Sequence, residues 1–144
     1  DLDPSRLHLI GYSGGGSLVV LLAVQRSDVQ SVMTVAGNLD HAAWTRYHKV
    51  TPLRDSLNPA KVMSDSNRIC RQVHLTGERD DVVPPRICRS FFRQIRSRDL
   101  VQCITLRDFD HSCCWAEQWP DLLRKYRPHP LGHSTAINRS DGDP

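Results

Sequence analysis

Apolar residues along this chain fall into short blocks separated by glycine, proline and charged residues, and the blocks alternate between a strand-like and a helix-like character. LHLI at 7–10 is a short β-compatible run that stops at glycine, and GGGSLVVLLAVQR at 14–26 has the length of a helix with an almost uniformly apolar face. That pair predicts a strand followed by a helix buried against a sheet. VQSVMTVA at 29–36 predicts the next strand, ended by Gly37-Asn38. Residues 38–58 show no clean periodicity and read as a long connection with a short helical piece around 41–47.

Residues 59–68 hold one or two helical turns, with Pro59 suited to the first position. A third strand follows at 71–76. Pro84 and Pro85 fit the start of a helix running to about Ser97, in which Ile87, Phe91 and Ile95 recur every four residues. VQCITL at 101–106 predicts a fourth strand. A last helix around 113–126 puts Trp115, Trp119, Leu122 and Tyr126 near one face, with Pro120 as an expected interruption. The alternation predicts an α/β fold, a mostly parallel sheet with flanking helices and right-handed crossovers.

Residues 1–126 are thus expected to form one unit, and 127–144, rich in Pro, Gly, Ser and polar residues, a loose tail carrying the sequon Asn138-Arg139-Ser140. A length of 144 residues fits a single core. With 39% hydrophobic and 24% charged residues, the composition is that of a globular protein. The formal charge is only +3, and the arginines are spread from Arg6 to Arg139 without a compact basic block, so the sequence carries no footprint for nucleic acid. No apolar run is long enough to be a transmembrane segment. Five cysteines, Cys70, Cys88, Cys103, Cys113 and Cys114, include no CxxC pair; they read mainly as small buried side chains, with room for one disulfide.

The strongest chemical signal lies where the first strand meets the first helix. Gly11-Tyr12-Ser13-Gly14-Gly15 matches G-x-S-x-G. Such a serine sits on a tight turn, and flanking glycines remove Cβ atoms that would strike the neighbouring strand and helix. The first N–H groups of the helix face the same space, so Gly14 is a candidate donor to an oxyanion. The alternative is a structural turn. A phosphate loop would need a lysine where Ser17 and Leu18 stand. HExxH and compact His/Cys/Asp clusters are absent, so no metal and no other cofactor is expected.

With GYSGG at 11–15, GERDDVVPP at 77–85 and RDFDHSCCW at 107–115, the sequence resembles the C-terminal part of an α/β-hydrolase. The resemblance implies Ser13 as nucleophile, Asp80 as the acid after the third strand, and His111 as the base after the fourth, in the family's order. The pattern G-x-x-D-x-x-V-P aligns Gly77, Asp80, Val83 and Pro84 and favours Asp80 over its neighbour Asp81, which stays open. Asp40 is a weaker choice, and Asp110 is expected to cap the last helix. His8 and His74 lie in strand runs and suit a packed or partly exposed role; His41 and His48 do not follow the final strand; His129 and His133 fall in the tail.

The resemblance also places GNLDHAAWTRYH at 37–48 along the substrate rim. Tyr12, Asn38, Trp44 and Tyr47 are candidate substrate contacts, with cover for the sheet edge as an equal reading for Trp44 and Tyr47. Trp115 and Trp119 are expected in the core. The implied activity is serine-dependent hydrolysis of a carboxylic ester or related small acyl substrate through an acyl-enzyme. Thioesterase, acyltransferase and a non-catalytic interaction module are the alternatives. The resemblance covers residues 5–126 but only the second half of the fold. The expectation is therefore a fold incomplete on its N-terminal side, whose first half, with the second oxyanion donor, comes from the same or another chain. Alone, the chain is expected to be poorly soluble, oligomeric or weakly active.

Overall fold

A computed structural model describes residues 7–128; the sequon and the two tail histidines lie outside them. The elements run β1 (Leu7–Tyr12), α1 (Gly14–Gln25), β2 (Val29–Val35), α2 (His41–His48), α3 (Pro59–Asp65), β3 (Arg71–Gly77), α4 (Pro85–Gln94), β4 (Val101–Leu106) and α5 (Trp115–Tyr126). All three strand pairings are parallel, in the order β1-β2-β3-β4. Each strand therefore delivers its C-terminal end to the same rim, and the connections after β1, β3 and β4 meet there.

Burial follows position in the sheet. β3 is buried along all but its first residue, and β2 is buried everywhere except Gln30. These central strands are covered on both faces. The exposure of Gln30 has a local cause: the β1–β2 register slips by one residue, with Leu7 opposite Val29 but His8 opposite Ser31. An extra residue reverses the alternation of side chains, which puts Val29 and Val32 in the same core cluster.

Two apolar clusters cover the sheet. One joins Val20 and Ala23 of α1, Ala60 and Met63 of α3, and Cys88 and Phe91 of α4 to Val29, Val32 and Val101. The other packs Trp115 and Leu122 of α5, with Phe109, against Met33, Val35, Val73 and Leu75. β1 pairs only with β2 among the described residues, and Ile10, Tyr12, Leu18 and Leu22 are exposed along β1 and α1.

Several expectations need correction. α4 stops at Gln94 rather than near Ser97, because Ile95 turns extended (φ −84°, ψ 138°), yet Ile95 stays in the core and completes the four-residue apolar spacing. Pro120 does not interrupt α5; Trp115 and Leu122 are buried on either side of it, and packing on the sheet outweighs the lost N–H. The cysteines form two pairs, Cys88–Cys103 joining α4 to β4 and the adjacent pair Cys113–Cys114, leaving Cys70 as a free thiol. Trp115 is in the core as expected, whereas Trp119 is partly buried at its margin.

Candidate active site

The turn from β1 into α1 holds Ser13 at φ 52°, ψ −120°, a left-handed φ that costs a non-glycine residue energy. Three backbone bonds fix it there. Ser13 N donates to Val35 O at 2.9 Å, and Ser13 O accepts from Gly16 N at 3.0 Å and Asn38 N at 3.2 Å. The glycines divide their work differently from the sequence expectation. A Cβ at Gly11 would stand 2.3 Å from Gly15 O, and one at Gly16 would stand 2.8 Å from the Gly37 Cα, whereas Gly14 and Gly15 face open space. Gly11 lets the helix turn back over the strand, and Gly16 lets it approach β2.

Asp80 follows β3 in a loop stitched to the one that follows β4. Glu78 N donates to Leu106 O and Arg79 N to Phe109 O, each at 2.9 Å, and a Cβ at Gly77 would lie 2.5 Å from Phe109 O. The Asp80 side chain has no solvent exposure. Its Oδ1 accepts from Val82 N at 3.0 Å and Val83 N at 2.7 Å, and its Oδ2 faces His111 Nδ1 at 2.9 Å. Asp81 is exposed, and the carboxylate beside His111 is that of Asp80.

His111 bridges the other two residues, its Nε2 lying 3.0 Å from Ser13 Oγ. With the Asp80 carboxylate accepting from Nδ1–H, Nε2 carries the lone pair that accepts from the serine hydroxyl. Residues separated by 98 and 31 positions thus meet at one rim. The loop around His111 is set by Asp110, whose Oδ1 accepts from Ser112 N at 2.7 Å and Cys113 N at 2.5 Å. Those two backbone N–H groups, first Cys113 and then Ser112, hold the Asp110 carboxyl below its ordinary pKa. Asp110 therefore folds the turn rather than capping α5, whose N-cap position is Cys114 at φ 79°.

Not every rim residue converges. Trp44 Nε1 donates to Val82 O at 2.8 Å, and His48 Nε2 lies 2.8 Å from the same carbonyl, so α2 braces the loop that carries Asp80. Tyr47 is exposed, with the Arg86 guanidinium 4.8 Å from its ring centre. Asn38 lies behind the serine: its carbonyl accepts from Ser17 Oγ at 2.5 Å, and its side-chain Oδ1 is buried without a partner. Tyr12 OH donates to His111 O at 2.7 Å. Asp40 is buried and accepts from Ala43 N, Asn58, Ser90 and Gln94, a brace among α2, α3 and α4. Burial alone would raise its pKa, but these donors together hold it below the ordinary value. Among the described residues no group of three or more His, Cys, Asp or Glu is placed to hold a metal ion, and no helix is long and apolar enough to cross a membrane.

The parallel sheet in sequential order with its flanking helices is matched by solved structures. The chain has the α/β-hydrolase fold. It superposes on a puromycin-hydrolysing peptidase of Mycobacterium tuberculosis with a TM-score of 0.62 at 20% identity, covering 76% of this chain and 19% of that one. An esterase domain from a Rhodothermus marinus protein gives 0.58 at 20% identity, over 83% and 60% of the two chains. A monoacylglycerol lipase from Paleococcus ferrophilus gives 0.60 at 14% identity, over 83% and 67%. The chain thus spans from about a fifth to two thirds of these α/β-hydrolases. No protein-family model matches the sequence, and no curated protein matches it.

The sequence picked out Ser13, Asp80 and His111 by motif and order, and the structure brings the three side chains together. It missed that Tyr12 OH reaches the carbonyl of His111, 99 positions away, and that the Trp115 indole closes on the same carbonyl from the next helix, because neither contact leaves a periodic trace.

Proposed function

We propose that the chain carries the nucleophile, acid and base of a serine hydrolase that acts on a carboxylic ester or related acyl substrate. The observation that carries this reading is the continuous path Ser13 Oγ to His111 Nε2 at 3.0 Å and His111 Nδ1 to Asp80 Oδ2 at 2.9 Å. Serine is a weak nucleophile until a base can take its proton, and the base needs a carboxylate to fix its tautomer and stabilise its charged form.

In the proposed reaction Ser13 Oγ bonds to the substrate carbonyl carbon as its proton passes to His111 Nε2. The carbonyl oxygen becomes an oxyanion beside the first turn of α1, where the N–H of Gly14 is one donor. Collapse of the tetrahedral intermediate breaks the bond to the leaving group, which takes the proton from His111. Water then gives a proton to His111 and attacks the acyl-serine, and the returning proton releases Ser13 with the carboxylic acid product. The esterase and lipase named among the structural neighbours favour an ester as the first substrate to try.

The test is hydrolysis of p-nitrophenyl acetate with substrate in excess over the protein. A burst of nitrophenol equal to the protein concentration, absent in Ser13→Ala, supports an acyl-enzyme. Turnover unchanged in Ser13→Ala would refute it.

A further inference from the structure

We infer that Tyr12 is a positioning residue for His111, fixing the imidazole relative to the serine next to it in the chain. The inference rests on the reading of Ser13 and His111 as nucleophile and base, and it replaces the expectation that Tyr12 contacts substrate.

His111 lies on a loop after an edge strand, while Ser13 lies at the end of β1 on the opposite edge of the sheet. Among the described residues no backbone–backbone hydrogen bond joins the two directly. The His111 carbonyl supplies a common support. It accepts from Tyr12 OH at 2.7 Å and from Trp115 Nε1 at 3.1 Å, so donors from two elements use its two lone pairs. Trp115 Nε1 also lies 3.0 Å from Asp110 O and anchors the loop to α5. Apart from the His111–Ser13 contact itself, Tyr12 joins the loop to the strand that carries the nucleophile. The path from Ser13 to the base then runs through one peptide bond, one side chain and one hydrogen bond.

The tyrosine ring adds a wall. Its centre lies 5.3 Å from the His111 ring at a 42° tilt, which restricts the swing of the imidazole away from Asp80 and Ser13. An aromatic face beside this ring also favours the imidazolium formed during proton transfer. Tyr12 is 48% exposed, so its side chain contributes little to the core, and removing its hydroxyl leaves the packing intact. A nearby explanation as plain surface cover accounts for neither the 2.7 Å bond nor its target.

The experiment measures the second-order rate constant for phosphonylation of Ser13 by a fluorophosphonate in the wild type, Tyr12→Phe, Tyr12→Ala and the control Tyr126→Phe. Thermal midpoints are recorded beside the rates. The geometry predicts a drop of about tenfold for Tyr12→Phe and a larger one for Tyr12→Ala at unchanged midpoint, since small misplacements of reacting groups have steep rate costs. The proton NMR signal of the His111 N–H shared with Asp80 should broaden in Tyr12→Phe through faster exchange with water, a change that surface cover alone would not produce. A rate within about twofold of wild type with an unchanged signal overturns the role of Tyr12 while leaving the serine reading intact. A folded wild type that does not react at all removes the serine reading, and the inference with it.

Discussion

Two histidines of this chain occupy similar hydrogen-bonding positions and have opposite consequences. His74, in the middle of β3, is fully buried, with Nδ1 2.8 Å from Thr34 Oγ1, Nε2 3.1 Å from Gln72 Oε1, and the Phe91 ring edge-on at 5.1 Å. Burial pushes its pKa down to about 3, so it stays neutral and serves as packing. His111, at the rim, also has both nitrogens engaged, but by a buried carboxylate and a serine hydroxyl. The number of hydrogen bonds does not separate the two; the charge of the partner and access to the rim do. A histidine buried among neutral partners is held in one state, whereas the proposed reaction calls for one set between a carboxylate and a hydroxyl at the rim.

The largest expected effect comes from removing the rim groups. Ser13→Ala should abolish covalent labelling with no loss of fold, and Asp80→Asn should slow labelling by about 10⁴-fold, as loss of the orienting carboxylate does in related arrangements. Asp81→Asn should leave the rate within about twofold. A severe effect at Asp81 with a mild one at Asp80 would reverse the assignment of the acid.

Backbone fit comes next. Gly16→Ala forces a Cβ to 2.8 Å from the Gly37 Cα, and overpacking of this kind costs about 1–3 kcal/mol. Gly15→Ala meets nothing within 4 Å. Urea denaturation of the two variants should show a lower midpoint for Gly16→Ala only; equal midpoints would mean that α1 does not approach β2 as closely as described.

The smallest effect concerns His74 and is seen only in acid. Its folded pKa of about 3 lies below the ordinary 6.5, so between these values the unfolded chain binds a proton that the folded chain does not. The stability that neutral His74 permits is complete above about pH 6.5 and is lost as the pH falls toward 3. Thermal midpoints followed from pH 7 to pH 4 should fall more steeply in the wild type than in His74→Gln, which has no proton to gain. Identical slopes would contradict the account of His74 as a histidine kept neutral by burial.

Much of this was legible before any coordinates. Strand and helix blocks were distinct because central parallel strands are apolar on both faces, and Ser13, Asp80 and His111 fall in short motifs tied to strand ends. What escaped the sequence was long-range or conformational. Asp110 looked like a helix cap, since a side chain accepting from N–H groups two and three residues on is equally a turn former. Trp44 looked as suited to a substrate as to covering the sheet edge, and neither reading foresaw its indole donating to Val82 O. The pairing of Cys88 with Cys103 depends on how α4 lies on β4, which spacing alone does not define.

The central claim is that Ser13 is an activated nucleophile, and peptide mass spectrometry after fluorophosphonate treatment tests it most directly. The account predicts one phosphonyl group per folded chain, located on Ser13 and lost in His111→Gln. A folded chain left unmodified, or modified at another residue with Ser13 intact, would contradict it.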